Sequence, residues 1–563
     1  MKKTILLLVI LAPLTNLFGQ VSLSWVKGLT NNGIQSAKIK GIESSAAGNV
    51  YIIGEIQTTT DFDPGPQTYF LSPAISKSCF LAKYDQGGNI LWAKEILSQT
   101  TNNAVLAVND LIIDSNENIY ITGSYGNTVD FDPSASTFTL NSGTFNGYDN
   151  VIPYTAKYNS QGNFLWVKHL KRPGVLGEGA RIALDNNSNV YVGANIDNQR
   201  SYFYKYNSSG TILWLDSLKG SSQNYLTAMH VTGNGEVFIG GSFYIDIDMD
   251  PGINTNSLTA SDALYLGKYT TNGAFVWAKK INMPFGNSVE IFNDITVDAS
   301  GNVYTIGSGL NAGVLQNRIT KWNNLGSLQW MNFFGDASLY NGLDISINCN
   351  NSLLVTGLVG SIYDNYDTQG GTYTFSPTND INFFVNGLIY AASYNTSNGG
   401  LNWANSFGGS LDWNCNLSSN ANFSNSYTDN NGNIFLVGAF MFNSIPPNDF
   451  NPDPVITTSL NPTYNTAFFV KYSGCNAVGL DEYNQMDKIC IFPNPSSGNF
   501  HLKVTSENCT IEVADLTGRL ILSKETQEKE MSFSLQDQPP GVYLYTIKNQ
   551  DGVLQRGKLI LEK

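Results

Sequence analysis

The sequence predicts an all-β chain: a seven-bladed β-propeller with four antiparallel strands per blade, its last blade closed by an N-terminal strand, followed by a small Ig-like β-sandwich. Three observations predict it. A short strand pattern recurs seven times; a tryptophan strand missing from the last repeat is present at the start of the chain; and the pattern stops after Gly474, where a different one begins. Composition agrees, since only 13% of residues are charged and 53 are glycine. Long helices would need runs of Ala, Leu, Glu and Lys at a period near 3.6, which are absent beyond the first twenty residues.

Met1, Lys2 and Lys3 precede an apolar run from Ile5 to Leu14 and a stretch ending in Phe18, Gly19 and Gln20. A basic start and about ten apolar residues read as a secretory signal at 1–20, and no run reaches the roughly 18 apolar residues of a membrane span. The mature chain is therefore expected to have no transmembrane segment. The net charge of −14 becomes −16 once Lys2 and Lys3 are removed. Such a surface repels phosphate backbones and excludes nucleic acid as a partner. Cys79, Cys349, Cys415, Cys475, Cys490 and Cys509 lack the CxxC spacing of a metal or redox site, and export permits disulfides whose connectivity the sequence leaves open.

The repeated strand reads GNVYIIG at 48–54, ENIYITG at 117–123, SNVYVGA at 188–194, GEVFIGG at 235–241, GNVYTIG at 301–307, NSLLVTG at 351–357 and GNIFLVG at 432–438. Both alternating faces are apolar, so each strand must be covered on both sides, as when sheets stack on neighbouring sheets. In the first six copies a second pattern follows: a strand ending in Lys-Tyr or a near equivalent, a polar turn, then a strand centred on Trp, as in CFLAKYDQGGNILWAKEI at 79–96. With the strand before each Gly/Asn turn, such as Ile295-Thr296-Val297-Asp298, each unit has four antiparallel strands. The Trp series is expected in the core.

The seventh unit has Lys471-Tyr472 but no Trp strand, whereas residues 22–29, SLSWVKGL, carry Trp25 in the context of Trp92. Pairing the two ends in one blade accounts for both oddities and hides the open edges of a linear array. The motifs GNVYIIG, DFDPG, FLAKYD and LWAK resemble the β-propeller repeat family of secreted bacterial proteins across residues 21–474. That resemblance implies fold and export rather than an activity.

Residues 475–488 form a polar linker, and residues 489–563 follow a different grammar of short alternating strands and turns, the pattern of a β-sandwich. Phe492-Pro493-Asn494-Pro495, Asp515-Leu516-Thr517-Gly518-Arg519, Gly541-Val542-Tyr543 and Gly557-Lys558-Leu559-Ile560 resemble the ordered motifs of the type IX secretion system C-terminal sorting domain. The resemblance implies an export address read by the type IX machinery, commonly removed after export, with the cargo released or joined to surface lipopolysaccharide.

Asp-x-Asp segments recur after the repeated strand: Asp61 and Asp63, Asp130 and Asp132, Asp246, Asp248 and Asp250, and Asp449 with Asp453. Carboxylates one residue apart in extended chain point the same way and suit Ca²⁺; Asp before Pro-Gly also forms turns without metal. Calcium is thus the one candidate cofactor, and both readings stand. The aromatic insertion at 361–386, with Tyr363, Tyr366 and Tyr373, suits a glycan or protein ligand, or else covers the rim of the sixth blade. Enzyme chemistry finds little to build on. Only His169, His230 and His501 are present, with no triad or zinc motif around them. Asp85-Gln86-Gly87-Gly88 before Trp92 is similar to the tryptophan-docking turns of quinoprotein propellers, but the adjacent cysteines of many quinoprotein dehydrogenases are absent. Two functions remain: a secreted binding or adhesion module, and a polysaccharide- or peptide-degrading exoenzyme on a propeller scaffold.

Overall fold

The computed structural model describes residues 22–31, 37–73, 77–99, 105–145, 148–171, 177–196, 200–282, 292–311, 313–336, 344–358, 365–369, 389–407, 423–440, 448–449, 459–460, 466–473, 490–492, 496–504, 508–515, 519–528, 530–549 and 552–562. Among these the regular structure is all β-strand. The chain divides into two compact units, residues 1–478 and 479–563.

In the first, four-stranded antiparallel sheets recur. The first repeat pairs Lys38–Ser44, Val50–Ile56, Ser78–Tyr84 and Ile90–Gln99 in that order. The same order runs through residues 106–169, 177–219, 224–282, 292–336 and 344–407, which are numbered repeats 2 to 6. Repeat 7 pairs Phe423–Thr428, Ile434–Phe440 and Thr466–Ser473, and its fourth strand is Ser22–Asn31 from the other end of the chain. There Leu23 lies opposite Tyr472, Trp25 opposite Lys471 and Leu29 opposite Ala467. The doubly apolar strands are covered on both faces: Val50, Tyr51, Ile52 and Ile53 are all inaccessible to solvent. The first strand of each repeat packs beside that of the next, from repeat 1 through repeat 7, and the first strand of repeat 7 packs beside that of repeat 1.

Gly54, Gly123 and Gly241, at the ends of three of the repeated strands, permit the close approach that the sequence suggested. A Cβ on Gly241 would lie 1.9 Å from the backbone oxygen of Tyr225. Neither backbone can yield without parting the strands, so Gly241→Ala is expected to destabilise the first unit by about 3 kcal/mol or more. An unchanged urea midpoint for this variant would show that the strands are not held at that spacing.

The tryptophans differ from expectation. They are half-buried rather than fully in the core, and Trp25, Trp92, Trp166, Trp214, Trp277 and Trp330 pack on the hairpin turn of the following repeat. Indole N–H groups donate to backbone oxygens of that turn: Trp25 to Gln86 (3.0 Å), Trp166 to Ser208 (3.3 Å), Trp214 to Thr271 (3.1 Å) and Trp277 to Asn324 (3.1 Å). A polar N–H needs a partner once its ring is buried, and the neighbouring turn supplies it. The turn glycine has two reasons to be glycine: Gly326, for example, sits at φ 73°, and a Cβ there would meet Trp277 at 2.9 Å. Lysines at the Lys-Tyr position reach the same neighbour, Lys83 to Glu117 (2.7 Å), Lys157 to the Ser208 oxygen (3.0 Å) and Lys321 to the Thr396 oxygen (2.9 Å), whereas Lys268 pairs with Glu236 of its own repeat (2.8 Å).

The second unit has a three-stranded sheet of Cys490–Phe492, Asn499–Lys503 and Glu530–Ser534, and a four-stranded sheet of Leu520–Thr526, Cys509–Ala514, Gly541–Asn549 and Gly552–Leu561. Phe500, Leu502, Ile511, Val513, Ile547 and Leu559 form its core. Cys349 is disulfide-bonded. Cys79 is a buried free thiol that burial pushes well above its ordinary pKa, so it is unreactive.

Candidate functional site

The Asp-x-Asp segments form one repeated device. Asp61 Oδ1 accepts the N–H of Asp63 (3.0 Å) and of Tyr69 (2.7 Å), and Asp63 Oδ1 accepts that of Gly65 (2.7 Å). Asp130 and Asp132, and Asp248 and Asp250, repeat these bonds onto the same relative positions. Asp246 stands apart and accepts from Ser221, in the connection between repeats 3 and 4. The residue between each pair turns inward: Phe62, Phe131 and Met249 are fully buried. Its carbonyl accepts the hydroxyl of the Lys-Tyr tyrosine, Tyr84 to Phe62 (3.0 Å), Tyr158 to Phe131 (3.0 Å) and Tyr269 to Met249 (2.9 Å).

Each such loop also pairs with the fourth strand of the preceding repeat. Asp61 lies opposite Thr30, Asp130 opposite Ser98 and Asp248 opposite Lys219. The loops are therefore clasps between repeats. Among the described residues no three or more His, Cys, Asp or Glu side chains gather closely enough to hold a metal ion. Asp449 lies in the short pair Asn448–Asp449 with Ser459–Leu460, and Asp453 lies outside the described residues.

Tyr366 belongs to the same device, which the sequence reading missed. Asn365 accepts the N–H of Asp367 (3.0 Å), Asp367 that of Gln369 (2.7 Å), and the Tyr366 oxygen accepts the Tyr394 hydroxyl (3.3 Å). Tyr366 is fully buried against Phe334 and Tyr390, so its ring is a core plug and not a ligand face. Tyr363 and Tyr373 lie outside the described residues.

A second cluster had no place in the sequence reading. The first strand of six repeats carries a bulge, and the residue just after it occupies one register position: Gly41, Asp110, Arg181, Ala228, Asp294 and Asn425, with Asp344 at the matching position of repeat 6. Two residues on, Glu43, His230 and Tyr427 are likewise in register. Residues from repeats far apart in the chain feel one another here. Burial pushes the Asp110 carboxyl up to about 6, Arg181 opposes the rise, and Asp344 adds to it. Burial and the Asp110 charge hold Glu43 well above the carboxylate range; burial and the neighbouring Asp344 do the same to Asp294. Burial lowers His230 to about 4.

The carboxyl oxygens bridge repeats. Asp110 accepts the N–H of Ile182 (3.0 Å), Asp294 that of Ile345 (3.1 Å), and Asp344 the Ser426 hydroxyl. Amide side chains reinforce them, Asn109 donating to the Gly179 oxygen (2.9 Å) and Asn425 to that of Lys40 (3.3 Å). The remaining sequence candidates are placed elsewhere: His169 Nδ1 shares a hydrogen bond with the Tyr125 hydroxyl (2.6 Å), and His501 Nδ1 with that of Ser532 (2.8 Å).

Comparisons with known proteins divide along the chain. Over 121 residues, 20% of the chain, the protein is 30% identical to an uncharacterized WD repeat-containing protein of Acanthamoeba polyphaga mimivirus, spanning 8% of that protein's length. Among solved structures, a protein of unknown function from Dyadobacter fermentans aligns at 10% identity and TM-score 0.37, covering 81% of this chain and 99% of that one. A NanB sialidase from Streptococcus pneumoniae aligns at 10% identity and TM-score 0.35, covering 60% of this chain and 67% of that one. No helix of the described residues is long and apolar enough to cross a membrane. Residues 490–562 match the family described as secretion system C-terminal sorting domain, where the type IX motifs stand; the chain carries that domain and is secreted, to the cell surface or the medium.

Proposed function

We propose that residues 21–474 form a seven-bladed propeller that serves as a binding or adhesion module outside the cell, for a glycan or protein ligand. In this reading residues 1–20 are the signal peptide, 475–488 the linker and 489–563 the sorting domain. The neighbour order of the first strands and the pairing of Ser22–Asn31 with Thr466–Ser473 support the ring. The observation that carries the binding reading is the use of the carboxylates. On the first strands of their repeats, Asp110, Asp294 and Asp344 have oxygens bonded to the next repeat. They hold a scaffold together, and recognition then belongs to loops mounted on it. The Asp-x-Asp loops serve the same scaffold as clasps, and excess calcium is expected to leave the melting temperature unchanged.

One observation favours a degradative exoenzyme instead: a carboxyl raised to about 6, as Asp110 is, suits a general acid. Incubating the purified protein with arrayed polysaccharides, glycans and proteins separates the two. Saturable binding without new reducing ends or peptide termini is the expected result; turnover that Asp110→Asn abolishes would overturn the binding reading.

A further inference from the structure

Four sorting motifs that lie far apart in the sequence meet in space. Ala514, beside the Asp515–Arg519 turn, is opposite both Leu520 and Leu544. Val542 is opposite Ile560, and Leu544 opposite Lys558, which joins the third motif to the fourth. The first motif arrives through Ser496, whose N–H donates to the Ile560 oxygen (3.0 Å) and whose oxygen accepts from Glu562 (2.9 Å).

Alternation sends the two faces of this sheet different ways. Val513, Tyr543, Leu559 and Leu561 are buried in the core. Their neighbours face out, and three of them are apolar and strongly exposed: Leu520 at 57%, Leu544 at 46% and Val542 at 38%. Leu520, Ala514 and Leu544 lie in one cross-strand row that ends at Lys558, and Val542 with Ile560 forms the pair beside it, so together they make one apolar patch. Exposed cations border it, Arg519 at the turn, held by Asp515 (3.0 Å), and Lys558 on the last strand. An apolar centre with a charged rim is the anatomy of a docking surface.

We propose that this outward face, centred on Leu520, Val542 and Leu544 and rimmed by Arg519 and Lys558, is where the type IX export machinery docks. The proposal rests on the sorting-domain reading and deepens it. Fold alone requires only the inward residues; single exposed apolar side chains are ordinary, but three on adjacent strands of one face, beside the sorting motifs, form a contiguous patch. The basic rim fits a receptor surface that is apolar at its centre and carries carboxylates around it.

The test uses the full chain in a bacterium with type IX secretion, measuring its fraction at the surface and in the medium against the periplasm. Leu520→Glu with Leu544→Glu is expected to lower export at least about tenfold, because a charge forced into an apolar contact removes its central energy. Periplasmic protein should retain a protease-resistant sorting domain. Lys558→Glu, at an exposed position, should lower export on its own while the protein stays folded, and decides the matter if the double variant is unfolded. Leu325→Glu, on the first unit, should change nothing. Wild-type export of folded Leu520→Glu, Leu544→Glu protein, or of Lys558→Glu, overturns the docking surface. Export of a chain ending at Lys488 overturns the sorting reading itself, so the two failures are distinguishable.

Discussion

A chain beginning at Asn31 is expected to lose at least about 5 kcal/mol of stability in its first unit, since it loses a buried leucine, a packed tryptophan and a paired strand together. Leu29 is 1% exposed, and Trp25 packs edge-on to Phe469 at 5.5 Å and tilted to Phe435 at 6.4 Å. Without the strand, Thr466–Ser473 becomes an open edge with unpaired N–H and C=O groups. The damage also crosses into repeat 1, because Trp25 donates to the Gln86 oxygen and Thr30 pairs with Asp61 of the first clasp. Urea unfolding of the two chains measures the loss. A peptide of residues 21–31 should restore part of it, as an added strand does at a vacant edge. Equal midpoints would mean that the N-terminal strand is dispensable and that the ring is not closed through it.

What could be read from the sequence was whatever repeats in chemical type. The apolar strand, the Lys-Tyr pair and the tryptophan recur with the same side chains, so their periodicity locates the strands, and Trp25 signals its own displaced repeat. What escaped is what depends on a neighbour. Asp61 and Asp63 look like ligands or turn formers in isolation; only the pairing of Asp61 with Thr30 shows a clasp. The clasp of repeat 6 was invisible because Asn365 replaces the first Asp, Tyr366 the Phe and Thr368 the Pro, although the bonds from Asp367 N–H to Asn365 and from Gln369 N–H to Asp367 match those of the other clasps. The sequence places the tryptophans in the core, whereas the indole N–H groups of Trp25, Trp166, Trp214 and Trp277 are satisfied by a turn some forty to sixty residues away.

The central carboxyls were hidden for a different reason. Asp110, Arg181, Asp294 and Asp344 share a position but not a charge, so no residue-type motif marks them. A signal was present all the same. Each stands four residues before the Asp or Asn that opens the next turn, Asp114, Asp185, Asp298 and Asn348, with an aliphatic residue following it. A search for charge at that phase, on strands otherwise covered on both faces, would have found the cluster.

Replacing Asp294 by Asn is expected to stabilise the protein at pH 8 by on the order of 1–3 kcal/mol, the range for relieving a poorly compensated buried charge, and to leave it unchanged near pH 4. The geometry suits the amide. Its oxygen can accept the Ile345 N–H that Asp294 accepts now, and its NH₂ can donate to Asp344, as the protonated acid does. The sign follows from linkage. A carboxyl whose folded pKa lies above its unfolded value keeps a proton that the unfolded chain has lost, so its stability contribution is lost as pH rises through the folded pKa. For Asp110 that window runs from about 4, the unfolded value, to about 6; Glu43 and Asp294 act in the same direction. His230 opposes them, because its lowered pKa makes the native state lose stability as pH falls from about 6.5 to about 4. The opposing slopes flatten the wild-type curve, which makes the difference between variant and wild type the informative quantity. Urea unfolding of both proteins at intervals from pH 4 to 9 should show that difference growing with pH and then levelling. A constant offset across the range would mean that Asp294 does not hold its proton in the folded protein and that the first strands converge on a charged carboxylate.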